Sequence, residues 1–309
     1  VGRLRREEIL DDYADHLVER VRLSRSMKAV VDVGNGVTGF SEEIFTRIGC
    51  KVKMLFKDPD GRFPNHTPDP VQESTLDALK KTVLEEQADL GVAFDGDGDR
   101  VGFVDDKGRV VKADTILILL SRDLLKRHSG AKVVATPLSS RALFEDVRAN
   151  GGEIVLSKVG HSYVQEKLLS EDALLAGELS GHFYLREGYY GYDDAVYAAL
   201  KVTEILSSSG ESFSQIVDST HSYISSGELR VHCADEKKFQ VVDDLKRFFQ
   251  SSGYDVMTID GVRVEFEKGW GIVRASNTEP ALVFRFEAED EESYGEIKRT
   301  IEAEVEKRL

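Results

Sequence analysis

The sequence is poor in the features that mark secreted, membrane-spanning and nucleic-acid-binding proteins. Cysteine occurs only at Cys50 and Cys233 in 309 residues, so no disulfide framework is indicated and a reducing cytoplasm is the expected location. No apolar run approaches the ~20 residues that a helix needs to cross a bilayer. Basic residues are outnumbered 41 to 56 by acidic ones, and the net charge of −15 argues against a nucleic-acid partner. A small anionic substrate remains compatible, because a local site can be positive on a negative protein.

What the sequence does contain is a regular alternation of apolar strands and amphipathic helices. It begins at Lys28 and begins again near Lys112, which predicts two doubly wound α/β domains with mostly parallel sheets. The similar starts KAVVDVGNG and AKVVATPLSS hint at a structural repeat. The stretch SSSGESFS from Ser207 is interpreted as a boundary, and the strands and flanking helices beyond it predict a C-terminal α+β domain. Residues 1–27 have apolar residues near helical spacing and no signal-peptide core, so an N-terminal linker helix is predicted.

Three aspartates stand at alternate positions in the segment GVAFDGDGDRVG, directly after an apolar strand. Asp95, Asp97 and Asp99 must lie within a few Å of one another, and two like charges ~4 Å apart near a protein surface repel by roughly 4 kcal/mol. A cation would remove that penalty, and three hard oxygen ligands suit Mg²⁺. The EF-hand pattern fails, because its sixth position is Arg100 rather than glycine and its twelfth is Asp106 rather than glutamate. A solvated acidic turn is disfavoured by the buried strand that precedes the loop.

The short loop GELSGH places three reactive side chains between two glycines. Glu178 and Ser180 could hold vicinal hydroxyl groups, and His182 could move a proton. Taken alone, the loop is equally compatible with a polar turn. The segment SKVGHS, with Lys158 and His161, is a weaker signal of the same kind.

The segment RASNTEP joins two strands of the last domain. Arg274 offers a planar fork of donors, and Ser276, Asn277 and Thr278 add side-chain and amide donors, a set that suits a phosphate dianion. Arg285 lies on the following strand and could reach the same place. A polar hairpin without a ligand is the alternative for this stretch by itself.

These loops fall in different domains of the chain, so their coincidence carries more weight than any one of them. From about Met27 to the C-terminus the sequence resembles the α-D-phosphohexomutase superfamily, especially its bacterial phosphomannomutase/phosphoglucomutase branch. The resemblance rests on VVDVGNGVTG, DGRFPNHTPDP, ADLGVAFDGDGDRVG, KVGHS, GELSGH, GYDDAVYAAL and RASNTEPALVFRFEA. The family fold is four domains around one central cleft.

The resemblance implies a division of the chain and a role for each loop. After a linker helix in residues 1–27, the second, third and fourth family domains would occupy 28–109, 110–219 and 220–309. The implied site residues are the Mg²⁺ ligands Asp95, Asp97 and Asp99, the sugar-loop residues Glu178 and Ser180 with His182 as a proton-transfer candidate, Arg100 and His161 facing the same cleft, and the phosphate-loop residues Arg274, Ser276, Asn277 and Thr278.

The implied activity is interconversion of hexose 1-phosphate and hexose 6-phosphate, for mannose and glucose, through a hexose 1,6-bisphosphate. In the family, Mg²⁺ neutralises charge on the phosphoryl group while it is transferred. The expected partners are hexose phosphates, without nucleic acid or membrane, and the expected state is a monomer.

The sequence departs from the family pattern at its phosphorylated serine. The family carries that serine in a T-x-S-H-N-P loop of its first domain, and the nearest stretch here, STHSY from Ser219, lacks Asn-Pro. We therefore expect a phosphohexomutase fragment that is inactive without its missing phosphoserine domain. Leu138 also stands where a lysine is common in the family. The alternatives are a phosphoglucosamine mutase fragment, disfavoured because that branch usually has Gln in place of Leu179, and a naturally short phosphosugar-binding regulatory protein.

Overall fold

A computed structural model describes residues 2–276 and 278–309, which form three successive units. Helix α1 (Leu10–Val18) precedes the first α/β unit, whose elements are β1 (Lys28–Asp32), α2 (Ser41–Arg47), β2 (Lys51–Leu55), α3 (Asp77–Glu86), β3 (Leu90–Phe94), β4 (Val101–Asp105) and β5 (Val110–Val111). Strand β1 pairs in parallel with β2 and β3, and β4 and β5 continue the sheet antiparallel, in the order β2-β1-β3-β4-β5.

The second α/β unit has the same strand arrangement. Its elements are α4 (Ala113–Arg127), β6 (Lys132–Ala135), α5 (Arg141–Ala149), β7 (Glu153–Leu156), α6 (His161–Ser170), β8 (Leu175–Gly177), β9 (Phe183–Leu185), α7 (Ala195–Ser209) and α8 (Phe213–Asp218). Strand β6 pairs in parallel with β7 and β8, and β9 pairs antiparallel with β8, in the order β7-β6-β8-β9. The first four strands of the first unit follow this order too, which is the repeat that the two similar strand starts indicated.

The α+β unit closes the chain with an antiparallel sheet. Its elements are β10 (Ile224–Ser225), β11 (Leu229–His232), α9 (Asp235–Ser251), β12 (Asp255–Met257), β13 (Val262–Phe266), β14 (Gly269–Ala275), β15 (Ala281–Ala288) and α10 (Glu291–Glu306). The sheet runs β10-β15-β14-β13-β12, with β11 also pairing with β15, and both helices contact it. Two mostly parallel α/β units followed by an α+β unit confirm the predicted fold class.

Each α/β sheet is buried on both faces, as parallel sheets require. In β1, Val30 packs with α3, whereas its neighbour Val31 faces the opposite side. In β6, Val134 packs with α6, whereas Val133 faces the opposite side. Those opposite sides belong to one apolar core shared by the two units, because α7 contacts β3 and β4 of the first sheet and β9 of the second.

Three local predictions were wrong. Helix α1 is shorter than the predicted linker helix, because Leu4 and Ile9 are exposed and pack against nothing that would extend it. The stretch SSSGESFS is not a boundary: it contains the end of α7 and the start of α8, which Ser212 caps. The first sheet also extends through β5, two residues past the boundary predicted after Arg109.

Among the described residues, no helix combines the length and the apolar character needed to cross a membrane.

Candidate functional site

The three predicted loops each follow directly from the end of a strand. Asp95 comes after β3, Glu178 comes after β8, and Ser276 comes after β14. The first two positions are carboxyl ends of central strands in α/β sheets, the usual place for a ligand site in this kind of fold. The fold therefore anchors the start of each loop at the end of a buried strand.

The metal loop (residues 95–99) is held in its conformation by the side chain of its first aspartate. Asp95 is buried, and its Oδ1 accepts hydrogen bonds from the backbone N–H groups of Gly98 (2.9 Å) and Arg100 (3.1 Å). Gly98 has φ +84°, a conformation that glycine adopts without strain. Arg100 Nε donates to Asp95 Oδ2 at 2.8 Å, so this arginine fixes the loop. Its guanidinium also pairs with Asp69 at 3.5 Å, a residue that the sequence analysis did not single out.

The carboxylates of this loop form a group suited to a divalent cation. Asp95, Asp97 and Asp99 each offer an oxygen within 4.8 Å of the others. Burial, then hydrogen bonding and repulsion from Asp95, raise the pKa of Asp99 to about 7. Burial opposes ionisation of Asp95 as well, but hydrogen bonds from the Asp99 carboxyl and Arg100 outweigh it and lower the pKa of Asp95. Asp99 Oδ1 is a buried atom with no hydrogen-bond partner among the described residues. This oxygen is therefore available as a ligand for a hard cation.

The sugar loop (residues 178–182) closes the β8–β9 hairpin. Glu178 is buried, its Oε1 accepts from the Gly160 N–H (2.9 Å), and its Oε2 accepts from the Tyr184 hydroxyl (3.3 Å). Burial raises the pKa of Glu178. Gly181 has φ +91°, and a Cβ there would lie 2.8 Å from the carbonyl oxygen of Val101, so the loop approaches the first unit closely enough to require glycine.

His182, the last residue of the sugar loop, connects this loop to the metal loop. Its Nδ1 is 2.7 Å from Ser180 Oγ, and its Nε2 is 3.5 Å from Asp99 Oδ2. Burial lowers the pKa of His182, so the neutral imidazole is favoured near neutral pH. The structure thus brings together side chains from two units that are 83 residues apart in the chain, as the predicted common cleft requires.

His161 is near this group but is more exposed. It begins α6, its ring centroid is 6.4 Å from that of His182, and its Nδ1 is 3.5 Å from Asp193 Oδ2. Asp193 also offers an oxygen within 4.8 Å of ligand atoms of Asp99 and His182. Sequence analysis missed Asp193, although it lies in the quoted segment GYDDAVYAAL, because nothing in the local pattern shows that this segment folds back to the histidines.

The phosphate loop (residues 274–278) presents a buried arginine. Arg274 Nη2 pairs with Asp260 Oδ2 at 3.1 Å, and Arg274 Nε is buried without a partner among the described residues. Ser276 Oγ accepts from the backbone N–H groups of Thr278 (3.4 Å) and Glu279 (3.1 Å), which holds the turn. Asn277 lies outside the described residues.

Lys158 is exposed and lines the same cavity as Asp260, a space of about 410 Å³ between the second α/β unit and the α+β unit. Its Nζ lies 5.6 Å from the centre of the Tyr163 ring. The structure therefore places Lys158 beside the phosphate loop rather than with Asp99 and His182.

The prediction that Arg285 reaches the phosphate loop was wrong. Arg285 is buried, its Nη2 pairs with Asp114 at 3.2 Å, and its guanidinium donates to the carbonyl oxygen of Leu138. Arg285 is the fifth residue of β15, and its place on a strand does not reveal which unit its side chain faces. Here Arg285 faces the second α/β unit and joins the two units. Leu138 is buried against Trp270 and Ile272 in the same junction.

Comparisons with known proteins match the whole series of units. Three models of the phosphoglucomutase/phosphomannomutase family match the chain: alpha/beta/alpha domain II over residues 11–108, alpha/beta/alpha domain III over 112–223, and the C-terminal domain over 228–304. A phosphomannomutase/phosphoglucomutase from Pseudomonas putida is 42% identical over 298 residues, 96% of this chain and 64% of the relative. A phosphoglucomutase from Neisseria meningitidis serogroup A is 38% identical over 308 residues, 99% of this chain and 67% of the relative.

A solved structure supports the same relationship. A family protein from Burkholderia thailandensis superimposes with a TM-score of 0.93 at 35% sequence identity, over 98% of this chain and 65% of that protein. The chain thus spans about two thirds of the length of the relatives it matches.

Proposed function

The chain belongs to the phosphoglucomutase/phosphomannomutase family, and we propose that it supplies the metal, sugar and phosphate sites of an enzyme that interconverts hexose 1-phosphates and hexose 6-phosphates of glucose and mannose. We also propose that the first α/β unit, extended through β5 to residue 111, the second α/β unit and the α+β unit correspond to the second, third and fourth family domains, and that a hexose 1,6-bisphosphate is the intermediate. The observation that carries the proposal is the 3.5 Å approach of His182 Nε2 to Asp99 Oδ2, which joins the metal loop to the sugar loop.

Asp95, Asp97 and Asp99 would hold Mg²⁺, because their oxygens cluster and Asp99 Oδ1 accepts no hydrogen bond from the residues that the structure describes. When bound, the ion would neutralise charge on the phosphoryl group being transferred. Arg100 keeps Asp95 ionised and in place, since it donates to that carboxylate at 2.8 Å.

Glu178 and Ser180 would hold two adjacent sugar hydroxyls. Contacts of this kind do not distinguish the configuration at C2, the carbon at which glucose and mannose differ. Both sugars would therefore be accepted. His182 would accept a proton at Nε2 from a sugar hydroxyl, because its Nδ1–H can be donated to Ser180 Oγ at 2.7 Å and burial favours the neutral ring. His161 is a second candidate for proton transfer, from the edge of the same group.

Arg274, together with Ser276, Asn277 and Thr278, would hold the phosphate that is not reacting. Arg274 Nε is buried and has no hydrogen-bond partner among residues 2–276 and 278–309, which supports this role because a phosphate oxygen would complete its hydrogen bonding. Lys158, on the near wall of the adjoining cavity, would add positive charge to this end of the site.

Calorimetric titration with hexose phosphates tests the proposed site. We expect glucose 1-phosphate and mannose 1-phosphate to bind with similar affinity in the presence of Mg²⁺, and glucose to bind far more weakly because it lacks the phosphate. The matched neutral sugar separates recognition of phosphate from general sugar binding. Failure of both phosphates to bind at millimolar concentration would contradict the proposal.

Turnover is a separate expectation. We expect these 309 residues alone to convert no glucose 1-phosphate into glucose 6-phosphate in a coupled assay, because they contain no T-x-S-H-N-P stretch to carry the phosphoryl group. Steady turnover would show that another residue of this chain acts as the carrier.

A further inference from the structure

We propose that Asp260 is a positioning residue that links the phosphate loop to the sugar loop and so fixes the distance between the two ends of a bound hexose phosphate. The inference rests on the proposed function, because it takes Arg274 as the phosphate ligand and Glu178 as the sugar ligand. Asp260 itself is not proposed to touch the ligand.

A tight turn brings Asp260 against Arg274. Asp260 lies between β12 and β13, and the following residue, Gly261, has φ +92°. A Cβ at Gly261 would lie 2.5 Å from the carbonyl oxygen of Val273 and 2.7 Å from Cβ of Arg274. Only glycine permits this approach, and the approach places the Asp260 carboxylate beside the arginine.

One carboxylate oxygen of Asp260 serves two different units. Asp260 Oδ2 lies 3.1 Å from Arg274 Nη2 in its own unit. The same oxygen accepts a hydrogen bond of 3.1 Å from the backbone N–H of Val159 in the second α/β unit. Because the ion pair and the hydrogen bond converge on one atom, a shift of either unit would lengthen at least one of the two contacts.

The next residue of the chain carries the connection to the sugar loop. The backbone N–H of Gly160 donates to Glu178 Oε1 at 2.9 Å. Consecutive peptide N–H groups of Val159 and Gly160 therefore hold two carboxylates, one from each unit. The continuous path runs from Arg274 through Asp260 and this dipeptide to Glu178, and all of its links are within 3.1 Å.

This path gives the backbone of the segment SKVGHS a role. Its side chains Lys158 and His161 were the candidates from sequence, but its backbone holds the two loops in register. A hexose phosphate must meet Arg274 and Glu178 at the same time, so binding of that ligand depends on their spacing. Inorganic phosphate contacts only the phosphate loop, so its binding does not depend on the distance between Arg274 and Glu178.

The test compares two ligands on matched variants. Wild type, Asp260→Ala and Asp260→Asn are titrated by calorimetry with glucose 1-phosphate and with inorganic phosphate, and their thermal midpoints are recorded. Asp243→Asn is the control, because Asp243 is an exposed acid that lines the same cavity from α9. We expect Asp260→Ala to weaken glucose 1-phosphate binding about tenfold while inorganic phosphate changes by less than about twofold. Asp260→Asn keeps an acceptor for Val159 but loses the charge facing Arg274, so an intermediate loss is expected.

A double variant separates positioning from a structural role. If Asp260 acts through spacing, its effect on glucose 1-phosphate binding should largely vanish in a Glu178→Ala background, because the sugar end is then no longer held. Equal losses for both ligands, no loss for either, or fully additive losses with Glu178→Ala would overturn the inference while leaving the proposed function intact. A wild-type chain that binds inorganic phosphate but not glucose 1-phosphate would overturn both.

Discussion

The two junctions between the units of this chain are built from different chemistry. Between the α/β units, α7 packs on strands of both sheets and the buried side chains form one continuous apolar cluster. Phe103 of the first unit and Phe213 of the second meet edge to face there, with ring centroids 6.4 Å apart. Between the second α/β unit and the α+β unit, the apolar cluster is small (Leu138, Trp270 and Ile272), and buried arginines bind carbonyl and carboxylate oxygens beside it.

Arg263 shows how the second junction works. It is almost fully buried, and its Nη1 donates to the carbonyl oxygens of Pro137 (2.9 Å) and Ser139 (2.7 Å) in the second α/β unit. Its guanidinium lies 3.7 Å from the centre of the Trp270 ring. Arg285 makes the parallel contact with Asp114 and Leu138.

The different chemistry of the two junctions should affect how cooperatively the units unfold. Apolar burial scales with area and has no preferred direction, so the two α/β units should unfold as one body. A buried ionic junction depends on geometry and roughly breaks even against its desolvation cost. We therefore expect the α+β unit to unfold at a lower denaturant concentration than the α/β pair.

The largest expected effect breaks the apolar junction. Phe103→Ala should lower the free energy of unfolding of the α/β pair by about 4 kcal/mol, because it removes a buried aromatic side chain from the shared core. Urea unfolding followed by circular dichroism measures the change. Phe249→Ala is the matched control, since Phe249 is buried in the separate core of the α+β unit and should lower that unit's transition alone. If both variants shift the same single transition, the comparison fails.

A smaller effect is expected at the ionic junction. Arg285→Ala should cost about 3 kcal/mol, because it leaves Asp114 buried without its partner. The cost should stay near this value because burial already raises the pKa of Asp114, so that carboxyl can take up a proton. Adding Asp114→Asn should recover part of the loss. A double variant less stable than Arg285→Ala would show that the pair is not the source of the effect.

A pH dependence is expected within the first α/β unit. His66 Nε2 lies 3.1 Å from Asp32 Oδ2, and the hydrogen bond to Asp32 raises the pKa of His66, against an opposing effect of burial. The protonated ring is thus favoured in the folded state. Its contribution, on the order of 1 kcal/mol, is complete below pH ~6.5 and is lost as the pH rises through the higher folded pKa.

His66→Gln serves as the comparison for that pH dependence. The difference in unfolding free energy between wild type and this variant should shrink from pH 5.5 to pH 9, and only for the transition of the α/β pair. A difference that stays constant with pH would contradict the assignment.

The smallest expected signal is weak Mg²⁺ binding. The metal loop lies wholly within the first α/β unit. The Arg285→Ala variant should therefore still bind Mg²⁺ in calorimetry, although its junction between the second α/β unit and the α+β unit is weakened. Asp97→Ala should bind it measurably less, because one of three oxygen ligands is gone. Identical titrations of wild type and Asp97→Ala would sink the metal assignment.

The metal and sugar loops were predictable because each is contiguous in sequence and follows a recognisable strand. Asp95, Asp97 and Asp99 need only a glycine-rich turn to converge, and Glu178 and His182 close one hairpin. The fold class followed in the same way from the alternation of strands and helices.

Contacts between units were not predictable from local pattern. Arg285 was assigned to the phosphate loop by its nearness in sequence, but Asp114, 171 residues earlier, is its partner. Asp260 and Asp193 meet their partners Val159 and His161 only through the packing of separate elements. Such pairs have no spacing rule that a single sequence could reveal.

The central claim is that loops from separate units hold one hexose phosphate, and titration of glucose 1-phosphate against Arg274→Ala and Glu178→Ala tests it most directly. A bidentate arginine–phosphate contact contributes roughly 1.5–3 kcal/mol per charged hydrogen bond, so Arg274→Ala should weaken binding about tenfold or more. Glu178→Ala should weaken glucose 1-phosphate binding while inorganic phosphate still binds. If both variants titrate like the wild type, the ligand does not bind at this site and the account is contradicted.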